Sequence, residues 1–131
     1  NETDDRRAGV LKRGEHWYVI LNTFPYTNGH IMVVSNRHIR NFGAVEAEET
    51  AELFEFLKKG EGALMDVYNP DGINVGVNLG RAAGAGVIDH LHFHMVPRWV
   101  GDTNFMTALA ETRVVSEDLD KSYMNLKPYF E

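Results

Sequence analysis

Ile88-Asp89-His90-Leu91-His92-Phe93-His94-Met95-Val96 alternates imidazole with apolar side chains from His90 onward. Successive side chains of a strand point to opposite faces. The spacing therefore predicts a strand over 88–96 with His90, His92 and His94 on one face and Leu91, Phe93 and Met95 on the other. The apolar face has to be covered, most simply by a helix. The histidine face has to be open, or turned toward something that hydrogen-bonds imidazole. Pro97 is expected to close the strand.

Working outward, 80–86 is a loop of small residues, and 73–79 alternates Ile73, Val75, Val77 and Leu79 with Asn74, Gly76 and Asn78, a half-buried strand. Asn69-Pro70-Asp71-Gly72 is a turn. Over 45–68 the period changes: Leu53, Leu57, Leu64 and Tyr68 recur at helical spacing, with Gly60 and Gly62 predicting a bend or break. Further upstream, 30–35 is an apolar strand and 22–29 a loop ending in Asn28-Gly29. Residues 10–12 and 16–21 form two strands about the Arg13-Gly14 turn. Residues 1–7 read as a frayed lead-in. Downstream, 101–104 is irregular and 113–115 a candidate short strand. Ser116 is a candidate N-cap for a last helix with Leu119, Tyr123 and Leu126 on one face. Hairpins around one long helix predict an α+β fold with an antiparallel sheet, a single domain over 1–131.

Composition narrows the function. The chain has 131 residues, 44% hydrophobic and 24% charged, an ordinary globular balance. Its formal charge of −6, from 13 Lys+Arg against 19 Asp+Glu, argues against a nucleic-acid partner. No cysteine is present, which excludes disulfides, thiolate metal sites and a thiol nucleophile within these residues. No apolar run approaches the ~18 residues of a membrane span and no basic-then-apolar leader is visible, so a soluble, cytoplasmic protein without a membrane partner is expected. The chain opens on Asn1 rather than Met, which leaves room for further residues upstream.

Three readings fit the histidine row. The plainest is a set of satisfied surface histidines. A second is a metal site. Positions two apart on a strand are ~6.6 Å apart and positions four apart ~13 Å. Two of these rings can therefore share an ion held at ~2.0–2.1 Å, and three only on a strongly curved strand. No HExxH, Asp-x-His or cysteine completes such a shell. The third reading matches imidazoles to successive groups of a polyphosphate, one nitrogen attacking phosphorus while a neighbour protonates the leaving oxygen. Gly80-Arg81-Ala82-Ala83-Gly84-Ala85-Gly86 is neither a P-loop nor a dinucleotide fingerprint. It lets backbone amides approach phosphate closely, or is simply a turn. Arg81 and Arg98 offset the overall negative charge locally. Trp17 is expected in the core, whereas Trp99, like Phe24, is a candidate for stacking on a base.

His90-Leu-His-Phe-His-Met-Val96, continued by Pro97-Arg98-Trp99 and Gly101-Asp-Thr-Asn-Phe105, resembles the signature of the histidine triad (HIT) family of nucleotide hydrolases and transferases. Leu21-Asn22, Gly29-His30 and Asn78-Leu-Gly80 extend the likeness over 12–105, which is most similar to the prokaryotic dinucleoside polyphosphate branch, including diadenosine tetraphosphate phosphorylases. The resemblance implies a five-stranded antiparallel sheet with one long helix and a short C-terminal helix. It implies a homodimer that joins two sheets into one. It implies His92 as nucleophile, His94 at the phosphate or leaving group, His90 holding His92 in position and tautomer, and His30 behind them. Asn22 would meet the ribose and Ile20 the base, while Asn78, Gly84 and Gly86 would lie along the phosphates with Arg98 and Trp99 nearby. Gly86 stands where other branches carry Gln or Ser, which leaves water or inorganic phosphate open as acceptor. No cofactor is required by these residues. Many relatives hold a structural zinc through an upstream Cys-x-x-Cys and a His placed like His38, so a longer chain could carry one. Neighbouring expectations are a nucleoside phosphoramidate hydrolase, a nucleotide-binding signalling module with little turnover, and a metal-dependent enzyme built on His90 and His92.

Overall fold

The computed structural model describes residues 2–22, 29–84, 90–101 and 119–131. In chain order they form α1 (Glu2–Ala8), β1 (Val10–Arg13), β2 (Trp17–Leu21), β3 (Ile31–Ser35), α2 (Ala47–Tyr68), β4 (Gly72–Val77), β5 (His92–Arg98) and α3 (Leu119–Leu126). Short 3-10 turns lie at Phe42–Ala44, Arg81–Ala83 and Lys127–Phe130. The strands make one sheet of five in the order β1-β2-β3-β5-β4, and every neighbouring pair is antiparallel. The expected α+β architecture is present, with α2 and α3 as the long and the short C-terminal helix.

One face of the sheet is the core. Trp17, Val19, Leu21, Ile31, Val33 and Met95 point into it, against Leu53, Phe56, Ala63 and Leu64 of α2 and Tyr123, Leu126 and Phe130 from the C-terminal end. Trp17 is fully buried there: its Nε1–H donates to the Glu49 carbonyl at 2.8 Å, and its ring meets Phe93 edge-on at 6.0 Å. Helix α2 starts on a reciprocal capping box between Glu46 and Glu49 and ends at Asn69 in the left-handed region, φ 46°. The carboxylate of Glu52 accepts from the backbone N–H groups of Glu15, His16 and Trp17 at 3.0, 2.8 and 2.8 Å, which fastens the β1–β2 hairpin to α2.

Four local expectations are corrected. Residues 2–7, read as part of a frayed lead-in, lie in α1, whose Asp5 carboxylate shares the Arg13 Nε–H between its two oxygens at 2.9 and 3.0 Å and whose Arg6 reaches Asp120. Helix α2 runs unbroken through Gly60 and Gly62. A Cβ on Gly60 would sit 2.6 Å from Met95 Sδ and 3.0 Å from Ile31 Cδ1, so this glycine lets the helix lie close on the sheet, and that packing outweighs the propensity cost. Pro97 does not close the strand; it pairs with Ile73 inside β5. There β5 has outrun the β3 ladder, which stops at Ile31 opposite Met95, and a strand with one unpaired flank tolerates proline. The strand expected over 73–79 ends at Val77, and Val75 is exposed rather than half-buried. The expectations at 102–104, 113–115 and Ser116 lie outside the described residues.

Gly62 meets nothing within 4 Å. Substituting alanine there is expected to stabilise the protein by ~0.5–1 kcal/mol, because only the helix-propensity cost is removed. Urea unfolding of Gly62→Ala against the parent checks this, and a lower midpoint would contradict it.

Candidate active site

The other face of the sheet carries the histidines. Register sets Tyr18 opposite Val34 and Val34 opposite His92; one step along, Ile20, Met32, His94 and Gly76 form the next row. Beyond it Asn22 and His30 continue the β2–β3 pairing, with Asn22 N–H donating to the His30 carbonyl at 2.8 Å. Gly29 sets up this corner: its φ is +76°, and a Cβ there would fall 2.6 Å from the Tyr68 ring. The period-2 alternation thus brings His92, His94, Ile20 and, at the margin, Asn22 and His30 onto one surface.

The imidazoles are linked in two groups. His92 Nδ1 lies 2.9 Å from the His90 carbonyl, which can only accept, so the ring hydrogen sits on Nδ1 and the Nε2 lone pair is left for chemistry. This contact to His92 is made by the His90 backbone. Its own ring turns away: Nδ1–H donates to the Ser35 carbonyl at 2.7 Å, and Nε2 lies 3.2 Å from His38 Nε2. Ser35, fully buried, also donates its hydroxyl to the Arg37 carbonyl at 2.8 Å and its N–H to the Leu91 carbonyl at 2.9 Å. In the second group His30 Nε2 lies 2.9 Å from His94 Nδ1, and Asn22 Nδ2 lies 3.0 Å from His30 Nδ1. The His92 and His94 rings meet edge-on at 4.9 Å.

Burial holds His30 down to about 4, with the neighbouring His94 adding to the effect, and burial followed by His92 lowers His94. Both shifts favour the neutral imidazole. The His30 shift predicts a pH-dependent stability. The unfolded chain takes up this proton at ~6.5, while folded His30 resists it until about 4, so stability is complete above the first value and falls as pH drops through the window. Urea midpoints at pH 7, 5 and 4 should fall more steeply for the parent than for His30→Gln; equal slopes would contradict the assignment.

The remaining site residues are distributed around this row. Arg98 lies on the same face of β5, donating from Nη1 to Asn74 Oδ1 at 2.8 Å, and Trp99 follows it half-buried. Asn78 comes directly after β4, with Nδ2 3.4 Å from the Gly84 carbonyl, and Gly84 adopts φ +96°. Gly86 and Phe24 lie outside the described residues. Ser35 and Asn74 were not singled out by the sequence; neither belongs to a motif, and each acts through a partner that only the sheet brings near. His38 is exposed with its ring against His90, centroids 4.1 Å apart. Two imidazole nitrogens are half of a four-ligand zinc shell. The chain has no cysteine, and among the described residues no group of three or more His, Cys, Asp or Glu is placed to hold a metal. These residues alone do not fit a closed zinc site.

Over 116 residues the chain is 40% identical to the AP-4-A phosphorylase of Mycobacterium tuberculosis, spanning 88% of this chain and 60% of that protein's length. An uncharacterised HIT-like protein of Methanocaldococcus jannaschii is 32% identical over 120 residues, 92% of this chain and 89% of its own. The crystal structure of a zinc-bound histidine triad family protein from Mycobacterium smegmatis superposes with a TM-score of 0.73 at 25% identity, covering 97% of this chain and 86% of that one. A model of the HIT domain matches residues 5–100, from within α1 to just beyond the triad strand, and the chain belongs to that family.

Proposed function

We propose that this chain cleaves a phosphoanhydride bond of a dinucleoside polyphosphate, of which diadenosine tetraphosphate is the leading candidate, through a nucleotide carried on His92. The observation that carries the reading is the His92 Nδ1 bond to the His90 carbonyl at 2.9 Å, which leaves the neutral ring its lone pair on Nε2. Nε2 attacks phosphorus, an N–P bond forms and the P–O bond to the leaving phosphate breaks; His92 keeps its Nδ1 hydrogen throughout. The leaving oxygen belongs to a polyphosphate, a weak base, so a hydrogen bond from neutral His94 meets its needs without proton transfer. An oxygen of inorganic phosphate or water then attacks the same phosphorus and frees His92. In this reading Ile20 lies under the base and Asn22 at the ribose, while Asn78, Gly84, Arg98 and Trp99 lie along the phosphates and distal group.

The name of the Mycobacterium tuberculosis relative supports inorganic phosphate as acceptor, although this chain spans 60% of that relative's length. Incubation with diadenosine tetraphosphate, with and without phosphate, tests both points. ADP plus ATP formed only with phosphate is the expected result. AMP plus ATP in its absence would make water the acceptor, and tight binding without products would overturn the enzymatic reading in favour of a binding module.

A homodimer is part of the proposal. β4 is an edge of the sheet whose Val75 is 52% exposed, and no lysine or proline blunts the strand. Pairing two β4 edges would continue the sheet from one copy into the next. Sedimentation equilibrium should report twice the mass of the 131-residue chain, and a monomer at tens of micromolar would count against this.

A further inference from the structure

The His90 carbonyl that meets His92 belongs to the same peptide unit as the Leu91 N–H, and a trans peptide unit is planar with those two groups pointing opposite ways. At one end the unit accepts from His92 Nδ1 at 2.9 Å; at the other, the Leu91 N–H donates to the Ile39 carbonyl at 2.7 Å. Ile39 therefore sets the tilt of the peptide on which the His92 ring leans. Residues 90 and 91 lie ahead of β5, and the β3 ladder stops at Val34 opposite His92. They are held instead by Ile39 and by Ser35, whose N–H donates to the Leu91 carbonyl at 2.9 Å and whose carbonyl takes His90 Nδ1 at 2.7 Å. The 35–39 stretch is fastened in turn. The Ile39 N–H and the Ser35 hydroxyl both donate to the Arg37 carbonyl, at 2.9 and 2.8 Å. The Arg37 guanidinium forks onto the buried Glu49 carboxylate at 2.8 and 2.7 Å and reaches the Ala44 carbonyl at 2.8 Å, which ties both ends of the β3–α2 connection to the first turn of α2.

We propose that Arg37 is a positioning residue for His92, acting through the Ile39 carbonyl and the 90–91 peptide. Lysine in its place would keep the charge but not the planar fork that meets both Glu49 oxygens at once. The connection then gains freedom and the 90–91 peptide loses its fixed tilt. The His92 ring is no longer held with its hydrogen on Nδ1 and its lone pair on Nε2. Among the described residues the Arg37 side chain bonds to Glu49 and Ala44 and to none of the imidazoles, so its loss acts on the aim of His92 rather than on contacts to a substrate. The catalytic part of this inference rests on the function proposed above; the aim of the ring does not.

Long-range proton–nitrogen spectra of histidine-labelled protein at pH 8 read the His92 tautomer directly. The parent should show hydrogen on Nδ1; hydrogen on Nε2 would overturn the proposal whether or not any variant folds. In Arg37→Lys the two His92 nitrogen shifts should move toward each other as the ring samples both tautomers. Turnover of diadenosine tetraphosphate should show kcat lowered ~10-fold or more, with KM within twofold of the parent. Glu49→Gln, which keeps the shape and turns one acceptor into a donor, should do the same and serves if Arg37→Lys does not fold. Arg13→Lys, which loosens the ion pair with Asp5, controls for a general loss of stability and should leave His92 and kcat as they are. Unchanged His92 shifts in the Arg37 and Glu49 variants, equal shifts in Arg13→Lys, or a raised KM at unchanged kcat would overturn the proposal. Failure of the parent to cleave diadenosine tetraphosphate would sink the function proposed above and leave the spectra to decide the aim of the ring.

Discussion

Replacing His92 with alanine should lower turnover of diadenosine tetraphosphate by about four orders of magnitude or more, the scale seen when a covalent nucleophile is removed. The ring is half-buried on the open face of the sheet, and its one recorded protein hydrogen bond goes to a backbone carbonyl two residues away. Its loss opens no large core cavity, so the urea midpoint should stay close to that of the parent. In the parent, brief mixing with substrate, an alkaline denaturing quench that preserves the N–P bond and intact-mass spectrometry should find one nucleotide per chain, absent from His92→Ala. Turnover of the variant within tenfold of the parent would remove His92 from the mechanism, whatever the products.

Trp17→Ala should abolish activity by the opposite route. The side chain is fully buried; it donates to the Glu49 carbonyl and meets Phe93 edge-on, and the Phe93 strand carries His92 and His94 on its other face. Truncation removes the largest buried ring of the core and leaves the carbonyl without that donor, a loss of ~3–5 kcal/mol. The urea midpoint should fall accordingly, and activity should recover at low temperature or with stabilising solutes, which it cannot do in His92→Ala. A stability change below ~1 kcal/mol would show that the core closes over the gap.

The face of His92 and His94 was legible from sequence because a strand has period 2, whereas His90, read into the same strand over 88–96, lies ahead of β5 with its ring on the Ser35 carbonyl. Leu91 and Met95 are buried, and His90, His92 and His94 are not. Helix α2 was legible in extent but not in continuity, since the local penalty at Gly60 says nothing of Met95 and Ile31 waiting beneath it. The same limit hid α1, which is tied down by Arg13 and Asp120, and Pro97, whose tolerance depends on where a neighbouring strand stops. Within the site, His92 and the His90 carbonyl are two residues apart and follow from the motif. The pairs His30–His94 and His38–His90 are separated by 64 and 52 residues, and no spacing rule announces which ring nitrogen faces which.

The Glu52 carboxylate under the β1–β2 hairpin has a consequence for the order of assembly. Its three acceptor contacts reach 35 to 37 residues along the chain, so the amides of Glu15, His16 and Trp17 have no such shelter until the long helix has docked. Hydrogen exchange at those three amides becomes a clock for helix undocking. They should exchange as a group, at the rate of that sub-global opening rather than by local breathing of the turn.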